Sequence, residues 1–146
     1  MSSDPSTVEG YFPVYYKYTV GLAGEKFFRE IKENGSLVAS RCTICNLNYI
    51  PPKIYCERCM SKLDNYVQIE NVGTVETFTL CRQDADGKEL QEPVGVALVR
   101  FPSAHGGLIH KLKEKVSIGD KVRVVFKDKS KRIGSILDIE YFEKIP

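Results

Sequence analysis

Apolar residues change their period along this chain. Between residues 20 and 34, Ala23, Phe27 and Ile31 recur every four positions with Phe28 beside them, while Glu25, Lys26, Arg29, Glu30, Lys32 and Glu33 fill the other side. That spacing predicts an amphipathic helix with one core-facing stripe. Thr19 is placed to cap its start, and Asn34-Gly35 to stop it. Beyond residue 70 the pattern turns strand-like, with runs at 72–82, 94–101, 107–112, 121–127 and 136–142. In the fourth run Val122, Val124 and Phe126 fall on one face, and in the fifth Leu137, Ile139 and Tyr141 do. Turn-rich separators at 84–87, 102–106, 118–120 and 127–133 divide the runs. Five strands without a long helix predict a small, partly open barrel of the OB type, ahead of an SH3-like barrel or a small sandwich. Gly73, at the start of the first long strand, permits the sharp coiling that closure requires.

The stretch between helix and barrel carries the chemistry. Short strands at 36–41 and 47–50 flank Cys42-Thr43-Ile44-Cys45, and Pro51-Pro52 forces an extended path towards Cys56-Glu57-Arg58-Cys59. Two Cys-x-x-Cys turns separated by ten residues can face one another across a single ion, the geometry of a tetrahedral all-cysteine zinc site. Two disulfides give the same count, but two-residue spacing twice over, with no export signal, favours metal. A redox Cys-x-x-Cys belongs beside a βαβ unit, and none is visible. Catalytic zinc keeps one position open, whereas four cysteines close the shell, so Cys42, Cys45, Cys56 and Cys59 read as ligands of a structural Zn2+. Four thiolates leave about two net negative charges to be balanced by turn N–H groups and nearby cations, for which Arg41, Lys53 and Arg58 are placed. Asn46 tolerates the left-handed conformation that such a turn needs; Met60, after the second pair, does so less readily.

Composition adds bounds. The 146 residues, 42% hydrophobic and 27% charged, suit one ordinary domain or two small ones, and the net charge of +2 does not by itself argue for nucleic acid. The division expected is a leader with an aromatic segment over 1–18, helix plus ribbon over 19–66, and the barrel over 67–146. Residues 1–10 are small and polar. Residues 11–18 then carry five aromatics, which either cover the small ribbon or anchor another protein. The N-terminus lacks the basic-then-apolar layout of a signal peptide and no apolar run is long enough to cross a bilayer, so a cytoplasmic location with reduced thiols is expected. Cys81, in a strand run, reads as a small buried side chain. His105 and His110 read as ordinary surface or satisfied residues, and Asp84 and Asp86 beside Gly87 as a hairpin turn short of calcium ligands. No Ser-His-Asp set, paired carboxylates or phosphate loop is found, so no catalytic residue is assigned.

Several segments together resemble a known family. They are Phe27-Phe28-Arg29-Glu30-Ile31, Arg41-Cys42-Thr43-Ile44-Cys45, Pro51-Pro52-Lys53 before Cys56, the run from Gly73 to Thr79, and the run from Gly119 to Phe126. The family is that of zinc-ribbon plus OB-fold proteins, long filed as a domain of unknown function and linked with acyl-CoA metabolism; the match covers about residues 16–142. Asn46 and Met60 stand where that family usually has small residues. The resemblance implies a mainly β chain, with an N-terminal helix and rubredoxin-like zinc ribbon before a five-stranded OB-fold barrel. It also implies a non-catalytic, acyl-CoA-binding accessory or scaffold protein that partners a thiolase-type enzyme, including thiolase with hydroxymethylglutaryl-CoA synthase. An acceptor for CoA combines an apolar cleft with cations at its mouth. Arg41, Lys53 and Arg58 on the ribbon and Lys111, Lys113 and Lys115 near the barrel are the clusters on offer, and none is assigned as a CoA ligand. The rival class is a single-stranded nucleic-acid-binding module; the near-neutral charge and the lack of basic residues interleaved with aromatics on one strand pair argue against it.

Overall fold

The computed structural model describes residues 6–146, so residues 1–5 of the expected leader lie outside it. The first element is α1 (Gly21–Asn34), which buries Ala23, Phe27 and Ile31, the stripe set by the four-residue spacing. Gly35 ends it in the left-handed conformation, its N–H donating to the Ile31 carbonyl at 3.1 Å. Thr19 works one residue ahead of the helix boundary: its hydroxyl accepts from the Gly21 N–H at 3.2 Å, while Val20 holds the cap position without a side-chain bond.

Two sheets follow. β1 (Leu37–Cys42) lies between β2 (Leu47–Ile50) and β3 (Asn65–Ile69), antiparallel to both. The sequence pattern gave no strand at β3; only Ile69 of its five residues is fully buried, so its hydrophobic signal is weak. The second sheet is built from β4 (Val72–Gln83), β5 (Glu89–Arg100), β7 (Leu108–Lys111), β8 (Lys121–Phe126) and β9 (Ile139–Lys144), in the order β7-β5-β4-β8-β9. A parallel bridge from Leu112 to Phe142, with the Lys113 N–H donating to the Phe142 carbonyl at 3.0 Å, joins its two outer strands into a barrel. This is the expected mainly β architecture, a helix and cysteine-bearing ribbon ahead of an OB-type barrel. The short strand β6 (His105–Gly106), in the loop between β5 and β7, pairs in parallel with β2 and fastens the barrel to the ribbon.

One continuous core runs through both sheets. Phe27, Ile31, Leu37, Ala39, Ile50 and Ile69 share a cluster with barrel residues Val75, Val99, Val122 and Phe142. A smaller separate cluster holds Cys42, Tyr49, Cys56 and Leu63. Two glycines make these contacts possible. A Cβ on Gly73 would stand 2.6 Å from the Arg100 carbonyl oxygen, so strand contact rather than turn geometry demands glycine there. Gly106, at φ +94°, would place a Cβ 2.1 Å from the Ile50 carbonyl oxygen, and only glycine allows β6 to lie against β2.

The barrel departs from the sequence pattern at three places. β5 begins at Glu89, opposite Gln83, and residues 89–93 are exposed but for the half-buried Leu90, so they show no alternation. The run at 136–142 divides: Ile136–Asp138 form a 3-10 turn, and β9 starts only at Ile139. Leu137 is therefore 62% exposed, while Ile139 and Phe142 are both buried. An irregularity in the β8–β9 register, between the Val125–Tyr141 and Phe126–Ile139 pairs, lets residues three apart face the core. Cys81, expected to be buried, is half-buried opposite Val94 in the projecting hairpin. The expected face of β8 is present, with Val122 and Val124 buried and Phe126 half-buried.

The loop before β9 is held by a buried carboxylate. Asp138, 1% exposed, accepts N–H donations from Ile133, Gly134 and Ser135 at 2.7–3.1 Å. Burial pushes its pKa up, but the N–H groups, helped by Lys127, outweigh this and hold it below the ordinary carboxylate value. Asp138→Asn is expected to lower stability at neutral pH by about 1–3 kcal/mol, read from urea midpoints. Since the folded carboxyl titrates below its unfolded value, its contribution is present above about pH 4 and is lost as pH falls through the folded value. The gap between parent and variant should therefore close in acid; a constant gap down to pH 2 would contradict this role.

Candidate metal centre and ligand groove

The antiparallel pairing of β1 with β2, ending at Cys42 opposite Leu47, turns the first cysteine pair back on itself. Asn46 takes φ 53° in that turn, and its side-chain oxygen accepts from Arg41 at 2.5 Å. The second turn adopts the same backbone sign, with Met60 at φ 60° and its N–H donating to the Cys56 carbonyl at 3.0 Å. Met60 thus accepts the conformation that its side chain disfavours, and it remains 72% exposed, where nothing obstructs it.

All five cysteines are free thiols, and the Sγ atoms of Cys42, Cys45, Cys56 and Cys59 lie within 4.8 Å of one another. A Zn–S bond of about 2.3 Å puts neighbouring sulfurs of a tetrahedron about 3.8 Å apart. Cys42 and Cys59 are 3.6 Å apart. The surroundings fit a cation-bearing thiolate cluster. The Cys45 N–H points at Cys42 Sγ at 3.3 Å, and the Arg58 N–H at Cys56 Sγ at 3.4 Å. Two hydroxyls add to these: Tyr49 at 3.3 Å from Cys56 Sγ, and Ser61 at 3.0 Å from Cys59 and 3.5 Å from Cys42. The cluster can hold a structural metal.

The four thiols have unequal surroundings. The Tyr49 hydroxyl, against the effect of burial and with help from backbone N–H groups, brings Cys56 down to about 6. The Cys45 N–H and the Ser61 hydroxyl lower Cys42. Cys45, hydrogen-bonded to the Cys59 thiol and desolvated, is pushed up to about 12, and Tyr49 itself rises to about 12 through its hydrogen bond to Cys56 and its burial.

Sequence spacing points to Arg41, Lys53 and Arg58 as charge-balancing groups; the structure engages Arg41 and Lys53 elsewhere and brings Arg58 to the sulfurs through its backbone. Arg41 braces Asn46, Lys53 pairs with Glu57 above the Tyr49 ring, and Arg58 offers Cys56 its backbone N–H. Tyr49 and Ser61 went unnoticed: Ser61 follows Cys59 by two residues, but only the β2 strand path brings Tyr49 over Cys56.

A second feature lies on the barrel. A groove of ≈ 400 Å3 is lined by the apolar Phe78, Leu80, Leu112 and Val116, by Lys111, Lys113 and Lys115, and by Glu92 and Glu114. Lys113 is committed to Glu143 at 2.5 Å, whereas Lys111 and Lys115 form no ion pair among the described residues. Asp84 is spent on its own hairpin, accepting from the N–H groups of Asp86 and Lys88 at 3.0 and 2.9 Å. His105 is exposed in β6. His110, expected to be satisfied, has a buried Nδ1 without a partner; burial first, then Lys111, lowers its pKa.

A four-cysteine ribbon packed on an OB-type barrel defines a known class, and comparison places the chain within it. A structure of a DUF35-family protein of unknown function from Sulfolobus solfataricus is 32% identical, with TM-score 0.66 and 85% and 84% of the two chains covered. The chain belongs to the DUF35 family. Residues 66–127 match the family described as ChsH2, C-terminal OB-fold domain. A DUF35 domain-containing scaffold protein of Methanocaldococcus jannaschii is 27% identical over 104 residues, 68% of this chain and 74% of that protein. A structure described as Ltp2-ChsH2(DUF35) aldolase shares the fold at TM-score 0.62 and 22% identity, over 82% of this chain and 93% of the other. No helix among the described residues is long and apolar enough to cross a membrane.

Metal removal should act locally, because the cluster around the cysteines is separate from the main core. Chelation is expected to raise hydrogen exchange across residues 42–63 while β8 and β9 stay protected. Collapse of protection throughout the barrel would show that the two clusters do not separate.

Proposed function

We propose that this protein is a non-catalytic, acyl-CoA-binding accessory or scaffold protein that partners a thiolase-type enzyme in the cytoplasm. Cys42, Cys45, Cys56 and Cys59 hold a structural Zn2+, which orders the cysteine turns within the helix-plus-ribbon unit over residues 19–66, and the barrel over residues 67–146 carries the ligand face. The observation that carries this reading is the groove on the barrel. Its apolar residues suit a pantetheine or acyl chain, and Lys111 and Lys115 in its lining offer charge for phosphates. The scaffold description of the Methanocaldococcus relative and the aldolase assembly named for the second structure support an enzyme partner.

The leader supplies a surface for that partner. Tyr11, Phe12, Tyr15, Tyr16 and Tyr18 are 70–94% exposed, so they do not cover the ribbon, and Tyr16 stacks on Tyr18 at 5.6 Å. Exposed aromatics in such number suit an interface anchor. Tyr15→Ala with Tyr16→Ala should leave thermal stability within about 0.5 kcal/mol of the parent, as for other exposed positions. The same variant should lose co-purification with a co-expressed thiolase-type enzyme. Capture that persists unchanged would remove the leader from the interface.

The ligand reading is tested by calorimetry with acetyl-CoA at two salt concentrations. Charge reversal at Lys111 and Lys115 together should weaken binding by about tenfold or more and flatten its salt dependence. Parallel titration with a single-stranded oligonucleotide tests the rival module: tight binding that falls steeply with salt, without acetyl-CoA affinity, would overturn the proposal.

A further inference from the structure

Tyr49 lies in β2, seven residues before Cys56, and is 3% exposed. A buried phenol needs a partner for its hydroxyl, and this one meets a sulfur atom, Cys56 Sγ, at 3.3 Å. Phenylalanine would fill the same volume in the small cluster of Cys42, Cys56 and Leu63, so packing alone does not call for the oxygen. The ring is held from several sides. The Lys53 ammonium lies 5.5 Å from its centroid, the His105 ring lies 6.1 Å away, and the parallel pairing of β2 with β6 sets Tyr49 opposite His105. Ser61, the other hydroxyl at the cluster, is shared between Cys59 and Cys42 on a short side chain.

We propose that Tyr49 is a positioning residue of the metal centre: its hydroxyl fixes the orientation of Cys56 Sγ and offsets part of the thiolate charge, while its ring anchors that sulfur to the barrel through β6. The inference rests on the reading of the four cysteines as metal ligands. An O–H donor on a ligating sulfur draws electron density from it and makes it less ready to take up a proton and leave the ion. It also adds a donor at the sulfur that otherwise receives the Arg58 N–H, in a cluster where two excess negative charges need such partners. The anchoring follows from the barrel loop: β6 fixes the backbone beside Tyr49, and the Asn48 side-chain N–H donates to the Ser103 carbonyl at 2.8 Å. Ligand and barrel loop are therefore placed by consecutive residues of one strand.

The test uses full-length Tyr49→Phe, with Tyr55→Phe, an exposed tyrosine beside the cluster, as the control. Zn2+ affinity is measured by competition with a chromophoric chelator, and the Co2+-loaded protein is read by its sulfur-to-metal charge-transfer band. Tyr49→Phe should weaken Zn2+ binding by about ten- to a hundredfold, the usual effect of losing a partner of a metal ligand. Its Co2+ band should move to lower energy, since a sulfur without its O–H donor gives up electron density more easily; Tyr55→Phe should change neither. Melting of the metal-free Tyr49→Phe protein should match that of the metal-free parent. Affinity within about twofold of the parent together with an unmoved Co2+ band overturns the proposal, because a partner that matters costs more. So does an equal loss of stability with and without metal, which would make the hydroxyl a packing element. A parent protein that binds Co2+ without a four-thiolate spectrum would instead defeat the ligand reading on which the inference stands.

Discussion

Four sulfur atoms drawn within 4.8 Å of one another are tolerable only if their charge is answered. The ribbon supplies the answer in two layers: N–H groups of the two turns, and hydroxyls of Tyr49 and Ser61. The same donors lower the pKa of Cys56 and Cys42, which favours the thiolate form that a cation would bind. A segment with so few apolar residues has little else to order it. Its own hydrophobic cluster is Cys42, Tyr49, Cys56 and Leu63, too small to offset the entropy of fixing the intervening chain.

Everything else is built so that this small unit does not stand alone. Helix α1 and strands β1 and β2 deliver Phe27, Ile31, Leu37 and Ile50 to the core that the barrel shares, so the ribbon hangs from a larger folded body. Strand β6 adds a second attachment, permitted because Gly106 leaves room for the Ile50 carbonyl. The rigid part of the molecule is thus the junction of the two sheets. The parts left exposed are the aromatic leader, the projecting β4–β5 hairpin and the lysine-lined groove. This distribution suits a protein whose work is to hold other molecules in register.

Much of this architecture is legible in the sequence. The four-residue spacing of Ala23, Phe27 and Ile31 fixes the buried stripe of α1, and the alternation of Val122 and Val124 fixes the buried face of β8, because side-chain direction follows backbone period. Two Cys-x-x-Cys turns ten residues apart require convergence wherever the chain folds back at residues 46–50. The pattern misled where the period was broken or absent. Leu137 shares a two-residue rhythm with Ile139, yet it sits on a 3-10 turn; β3 and the outer part of β5 bury too little to alternate.

By itself, then, the sequence determined α1, the central part of each long barrel strand and the identity of the four clustered thiols, since period and short-range spacing are local properties of a chain. Tertiary structure alone decided that Tyr49 covers Cys56, that β6 ties the barrel to the ribbon, and that Lys111 and Lys115 line one groove with Phe78 and Leu80. It also decided that residues 11–18 face outward. Those facts depend on which strands become neighbours, and strand neighbours are chosen by the sum of many distant contacts that no local pattern records.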